Sequence, residues 1–290
     1  MKIVISGMTG FVGTALARSF LKRNCEVYGI SRADFSKGPA HLSSLVSQSD
    51  VVINLAGATI LKRWTSRWKK EIFTSRIDST HAIVEAIKLL PEAQRPDQLL
   101  SASAIGFYHA EGVHDEMNYQ EGKGFLAETC REWENAALKA LDEGVAVKIL
   151  RFGLILGNTG GAFPRMLKIF KFGFGGRIGS GKQGFPFIHI LDLVDAVQFL
   201  VNYPKASGVY NLVAPDKITN NDFTLELGRI LKRPTFFRVP AFLLKIVYGE
   251  GASVLTKGPF VHPAMLLSFG FNFRYPDINL ALQDLCGKTI

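Results

Sequence analysis

Residues 2–32, KIVISGMTGFVGTALARSFLKRNCEVYGISR, decide how this chain folds. KIVIS is a short β-rich run, and the glycines that follow, Gly7, Gly10 and Gly13, are spaced G-x-x-G-x-x-G. TALARSFLKRNC then sets Leu16, Phe20 and Leu21 at helical spacing, and CEVYGIS returns to strand composition. Strand, glycine turn, helix and strand within about thirty residues make a βαβ unit, whose strands must run parallel. In such a turn the first glycine permits a tight bend. The second lets the backbone approach a pyrophosphate, and the third allows close helix–strand packing. The helix N-terminus then offers unpaired N–H groups and a partial positive charge to the phosphates. Gly7, Thr9, Gly10, Phe11, Val12 and Gly13 are the expected dinucleotide-binding residues of this turn.

The end of the second strand selects the cofactor. An acid there accepts hydrogen bonds from a ribose 2′-OH, whereas an arginine pairs with a 2′-phosphate. The sequence reads Ser31-Arg32 at that point, a hydroxyl beside an always-charged bidentate donor, which favours NADP(H). Asp34 is the counter-argument, since a slightly longer strand brings an acid near the ribose.

Outward from this unit the alternation continues. SDVVINLAG reads as a buried strand, residues from about 67 to 90 as a long helix stopped by Pro91, DQLLSASAI as a strand, FLAETCREWENAALKAL as an amphipathic helix, and VAVKILRFGLIL as a strand. The expected fold is α/β, a Rossmann-type doubly wound parallel sheet with a smaller mixed C-terminal subdomain. Residues 1–157 are the expected dinucleotide-binding domain, with elements near 185–215 returning to it, and 158–290 a smaller substrate or capping region.

The formal charge of +9 admits nucleic acid, an acidic membrane or an anionic small molecule. The basic residues read as scattered, and their densest group, Lys62 to Lys70, is interrupted by Trp64 and Trp68. The expectation is a small-molecule partner, anionic by this charge, with no nucleic acid and no membrane. Three distant cysteines, Cys25, Cys130 and Cys286, fit reduced thiols rather than a disulfide framework, and no metal-ligand spacing appears. The opening MKIVISG is already a strand and no apolar run is long enough to span a bilayer, so a cytoplasmic location is expected.

With SGMTGFVG, VINLAGATI followed by RW, KEIFTSRIDST, SASAIGFYH, FLAETCREWE, RFGLILG, GRIGSGKQ, FPFIHILDLV, GVYNLVAP and FGFNFRYPDINLAL in order, the chain resembles the extended short-chain dehydrogenase/reductase superfamily of nucleotide-sugar epimerase/dehydratase type. More narrowly, it resembles an atypical epimerase-family branch with an extra C-terminal domain of unknown function. The resemblance implies that Leu55 and Ala56 line the adenosine side, and that Glu71 and Arg76 lie near the cofactor. An exposed pair on a helix face is the alternative for these two. Superfamily members often dimerise through two long helices, so a homodimer stays open.

The resemblance also implies a catalytic Ser/Thr, Tyr and Lys, the Tyr working as general acid/base. Ser103 matches the Ser/Thr position, ahead of Ser101. Leu126 and Cys130 stand where Tyr and Lys are expected, and neither does acid/base work of that kind. A literal Y-x-x-x-K at Tyr119 and Lys123 is set in a loop by Gly122 and Gly124. Tyr108, following the Ser103 strand, is the substitute candidate, with a packed aromatic as its other reading. Glu128 and Cys130 read as a solvated face and a core thiol. His189 lacks a second metal ligand, and Asp192 is expected to cap the helix that follows. GRIGSGKQG reads either as a flap over an anionic substrate or as an ordinary loop. The function expected is an NADP(H)-binding oxidoreductase or epimerase-like enzyme lacking the usual Tyr-x-x-x-Lys pair. The alternative is a catalytically inactive NADP(H)-binding sensor or interaction protein.

Overall fold

The βαβ unit forms where the glycine spacing places it, as β1 (Lys2–Ser6), α1 (Phe11–Leu21) and β2 (Glu26–Ile30). The structure is a computed structural model and describes residues 1–287. After β2 come two helices that no periodicity announces, α2 (Arg32–Phe35) and α3 (Pro39–Val46). Pro39 opens α3, where its missing N–H has no helical partner to lose. β3 (Val51–Asn54) is buried along its length. α4 (Ser66–Lys88) is capped by Thr65, whose hydroxyl accepts the Trp68 N–H at 3.1 Å. β4 (Gln98–Ala104), the short β5 (Val113–His114), α5 (Phe125–Leu138) and β6 (Ala146–Phe152) follow.

Here the sequence reading of one continuous strand through residue 156 is corrected. The chain breaks at Gly153, and β7 (Leu154–Leu156) leaves the main sheet to pair with β9 (Phe187–His189). Between them lie α6 (Phe163–Lys171) and β8 (Gly176–Ile178). The chain then runs through α7 (Ile190–Val201), β10 (Gly208–Leu212), α8 (Asn220–Leu231), β11 (Phe237–Val239) and α9 (Ala241–Tyr248). It ends in α10 (Ser253–Thr256), β12 (Phe260–Val261), α11 (Ala264–Ser268) and α12 (Ile278–Leu285).

The main sheet is six-stranded, in the order β10-β6-β4-β3-β1-β2, and every neighbouring pair is parallel. The chain moves from β1 outward to β2 and returns to β3 on the other side of β1. Their carboxyl ends therefore flank a topological switch point, where open α/β sheets bind ligands. Both faces are covered. Ile3, Ile5, Ile53 and Leu150 pack toward α1 and α7, while Val4, Val52, Leu99 and Val147 pack toward α3 and α4. Burying each such side chain stabilises by roughly 1.5–3 kcal/mol. A separate core, centred on Phe163, Phe187, Phe223 and Leu282, holds the C-terminal elements together. No helix among the described residues is long and apolar enough to cross a membrane.

Candidate cofactor and active site

The turn after β1 is built for close backbone approach. Gly7 has φ +70°, and a Cβ there would lie 2.9 Å from the Leu55 carbonyl oxygen. At Gly13 a Cβ would meet the Gly7 carbonyl oxygen at 2.3 Å, so only glycine lets α1 start this near the strand. Gly10 is the N-cap of α1, with no side-chain cap and no acid in the first turn. The Phe11, Val12 and Gly13 N–H groups thus face the switch point with no capping side chain, as an anion site requires. Thr9 is exposed beside them. The Phe11 ring goes elsewhere, packing into the loop of Gly157, Gly160 and Gly161 and tying the start of α1 to the C-terminal region. This chain's glycine cradle fits a dinucleotide pyrophosphate.

At the tip of β2 the three polar residues have divided their tasks. Ser31 is the N-cap of α2, and its hydroxyl both accepts from the Asp34 N–H at 3.3 Å and donates to Asp34 Oδ2 at 2.6 Å. The Ser31 N–H also donates to that oxygen, at 2.9 Å, and His41 Nε2 lies 2.9 Å from the other. These bonds, the Ser31 hydroxyl's first, hold the Asp34 carboxyl well below the ordinary carboxylate range. Asp34 is therefore engaged with its own helix, and so is the Ser31 hydroxyl. Arg32 is exposed, and among the described residues its guanidinium has no ion-pair partner.

Leu55 and Ala56 sit at the carboxyl end of β3, opposite the glycine turn. The Leu55 N–H donates to the Ser6 hydroxyl at 3.1 Å, which donates to Asn54 Oδ1 at 2.6 Å. Asn54 Nδ2 in turn donates to Thr80 Oγ1 at 2.7 Å, and Trp133 Nε1 donates to the same oxygen at 3.0 Å. This buried chain fixes the strand ends against α4 and α5. Arg76 reaches back from α4 to donate to the Ala58 and Ile72 carbonyls, each at 3.0 Å, with its guanidinium 5.2 Å from the Trp133 ring centroid. Burial pulls its pKa down from the ordinary arginine value, and among the described residues no carboxylate pairs with it. Glu71 is exposed on α4. The two do not form the exposed pair that was their alternative reading.

Ser103, one residue before the end of β4, is buried and donates to Glu134 Oε1 at 2.5 Å. Arg151, its neighbour on β6, clamps the same carboxylate with Nε at 2.8 Å and Nη2 at 2.7 Å. Burial opposes the Arg151 charge, but Glu134 outweighs it and holds the guanidinium protonated. Arg151 also lies 3.5 Å from the Phe107 ring centroid and 4.9 Å from that of Tyr108. Tyr108 is 3% exposed, stacks on His114 at 5.4 Å, and donates its hydroxyl to Asn211 Oδ1 at 2.8 Å. Burial pushes its phenol up to about 12. The structure places Tyr108 in a packed aromatic cluster, withdrawn from solvent. Leu126 and Cys130 pack against Gly106. Burial drives the Cys130 thiol up to about 12. Tyr119 is 46% exposed in the loop before α5.

Glu134, Asn211 and the Phe11 socket escaped the sequence reading. Arg151 carried a usable signal, because a cation inside the apolar strand AVKILRF demands a buried partner.

One further expectation is corrected. The α7 cap is His189, whose Nδ1 accepts the Leu191 N–H at 3.2 Å. Asp192 instead accepts the Arg274 and Tyr275 N–H groups at 2.8 and 3.0 Å, anchoring the C-terminal segment. The glycine-rich stretch is tied to its neighbours along its length. Gly176–Ile178 pairs with β11, the Asn221 N–H donates to the Gly181 carbonyl at 2.9 Å, and Gln183 Nε2 donates to the Ile178 and Leu255 carbonyls. Among the described residues no three His, Cys, Asp or Glu side chains converge as a metal site.

A doubly wound parallel sheet with this glycine turn at its switch point defines a nicotinamide-dinucleotide-binding fold. The chain belongs to the NAD dependent epimerase/dehydratase family, which matches residues 3–213, and a domain of unknown function, DUF1731, matches residues 239–285. It is 37% identical to the chloroplastic epimerase family protein SDR39U1 homolog of Arabidopsis thaliana, over 98% of this chain and 86% of that one. It is 36% identical to the Staphylococcus haemolyticus epimerase family protein SH2119, over 98% of each. Among solved structures, human epimerase family protein SDR39U1 (isoform 2), crystallised with NADPH, superposes with TM-score 0.90 at 32% identity and covers 100% of both chains.

Proposed function

We propose that this chain is an NADP(H)-dependent oxidoreductase or epimerase-like enzyme acting on a small carbonyl or hydroxyl compound, with Arg76 as the charge that an anionic substrate would meet. The observation that carries the reading is an uncapped α1 N-terminus together with an Arg32 that has no ion-pair partner among the described residues, while Asp34 is turned into its own helix cap. The human relative crystallised with NADPH supports the same choice. Gly7, Thr9, Gly10, Phe11, Val12 and Gly13 hold the pyrophosphate through backbone N–H groups, Arg32 takes the 2′-phosphate, and Leu55 and Ala56 flank the adenosine. Arg76, a half-buried cation with no carboxylate partner among the described residues, offers a charge to an anionic group entering beside β3. NADP(H) supplies hydride chemistry, and the protein supplies position and polarity. With its proton directed at Glu134, Ser103 has lone pairs left to accept a hydrogen bond from a substrate hydroxyl.

The second reading is an NADP(H)-binding sensor without turnover, favoured by Leu126 and Cys130 where the acid/base pair usually stands. Fluorescence titration with NADPH and NADH, followed by NADPH consumption against a panel of small carbonyl compounds, separates them. NADPH-selective binding with turnover that Ser103→Ala lowers supports the enzyme. Selective binding with no turnover across the panel supports the sensor. Binding of neither nucleotide sinks both.

A further inference from the structure

The basic residues that read as scattered are gathered by the fold. Residues 163–184 and 227–249 contain ten of the 34 Lys and Arg residues and none of the 25 Asp and Glu residues. The rest of the chain, 24 basic against 25 acidic residues, is close to neutral. These two segments meet in space. β8 pairs with β11, the Gly179 N–H donates to the Val239 carbonyl at 2.9 Å, Arg238 Nε donates to the Gly179 carbonyl at 2.7 Å, and the Phe174 and Phe237 rings lie 6.1 Å apart.

The same surface exposes large apolar side chains. Phe172 is 68% exposed, Phe174 65%, Phe236 76%, Phe242 63%, Ile246 62% and Val247 57%. α9, AFLLKIVY, buries none of its eight residues against the rest of the chain. A contiguous patch of this kind marks an interaction surface, because scattered surface hydrophobes do not converge on one helix and its neighbours. The acid that follows α9, Glu250, is paired with Lys69.

The geometry points to a docking face for an anionic lipid bilayer, formed by α6, residues 172–178, β11 and α9. Aromatic and aliphatic side chains enter the headgroup boundary while Lys168, Lys171, Arg238 and Lys245 meet the lipid phosphates. Charge decides the occupant: the elements of this face carry six cations, Arg165, Lys168, Lys171, Arg177, Arg238 and Lys245, and no acid, so a second copy would set twelve cations against one another. The sequence expectation of no membrane partner rested on the lack of a spanning run, and a helix lying in the interface plane needs none. The face is tied to the segment between β3 and α4, where Arg63 Nη1 donates to the Ile246 carbonyl at 2.6 Å and the Trp64 N–H to the Tyr248 carbonyl at 3.1 Å.

Flotation of the full chain with phosphatidylcholine vesicles, with and without about 30% phosphatidylglycerol, tests this directly. The chain is expected to float with the phosphatidylglycerol vesicles and to be released by salt. Phe242→Ser with Ile246→Ser should weaken binding at least about tenfold. Lys168→Gln with Lys171→Gln and Lys245→Gln should weaken it on the order of a hundredfold. Both variants should keep the parent's melting temperature. No binding to phosphatidylglycerol vesicles, or undiminished binding by both variants, overturns the proposal. So does a dimer in solution that Phe242→Ser with Ile246→Ser dissociates, which would make the face a contact between copies of this chain.

Discussion

Asp34 accepts hydrogen bonds from both the backbone N–H and the hydroxyl of Ser31, at 2.9 and 2.6 Å, so the acid near the tip of β2 faces its own helix rather than the ribose position. Arg32, which follows Ser31, stays exposed as the cation nearest the strand end. Charge-assisted hydrogen bonds to a phosphate are worth about 1.5–3 kcal/mol. Arg32→Ala should therefore weaken NADPH binding about 10- to 100-fold and leave NADH binding nearly unchanged, as read by cofactor fluorescence. Equal losses for both nucleotides would remove the 2′-phosphate role.

Gly13→Ala tests the cradle. The added methyl would sit 2.3 Å from the Gly7 carbonyl oxygen, so α1 must shift away from the turn. Overpacking of this kind costs about 1–3 kcal/mol, and the shift also moves the N–H groups that face the phosphates. Urea unfolding and NADPH titration should both show a loss. A stable variant with parental affinity would mean that the turn is looser than its contacts indicate.

The Glu134–Arg151 clamp is buried on both sides, with side-chain exposures of 7% and 3%. Glu134→Ala strands a guanidinium among Phe107 and Tyr108, and breaking such a pair costs about 3–5 kcal/mol. Adding Arg151→Met to that variant should recover much of the loss, because the uncompensated charge goes with it. Chemical denaturation of the three proteins checks this; a single-variant cost below about 1 kcal/mol would contradict the burial.

How much of this was legible depends on how local each cause is. The G-x-x-G-x-x-G turn announces itself, since strand, turn and helix are consecutive and each glycine answers a nearby clash. Ser31-x-x-Asp34 spells a capping box, so the withdrawal of Asp34 was readable from four letters. Arg151 announced that it needed a partner but not which one, because Glu134 reaches it only through the packing of α5 on the sheet. Nothing local told the Phe11 ring that its socket was a glycine loop some 150 residues on. α9 makes the same point: AFLLKIVY has the composition of a buried helix, and only the fold shows that it faces outward.

His189 is 1% exposed, caps α7 through Nδ1, and packs 4.0 Å from the Tyr275 ring. Its Nε2 lies 3.2 Å from Asp284 Oδ2 without the alignment of a hydrogen bond. Burial lowers its pKa from 6.5 to about 4, with Asp284 opposing the shift. The fold thus favours the neutral ring, whereas the unfolded chain takes up a proton near 6.5. Above that pH the ring costs the fold nothing, and as pH falls toward 4 stability drops by up to about 3 kcal/mol at the acid end. His189→Asn keeps a capping oxygen for the Leu191 N–H and removes the titration. The stability difference between parent and variant should therefore shrink, in the parent's disfavour, between pH 6.5 and 4 when followed by urea unfolding. A difference that stays constant with pH would mean that His189 keeps its proton in the fold, paired with Asp284.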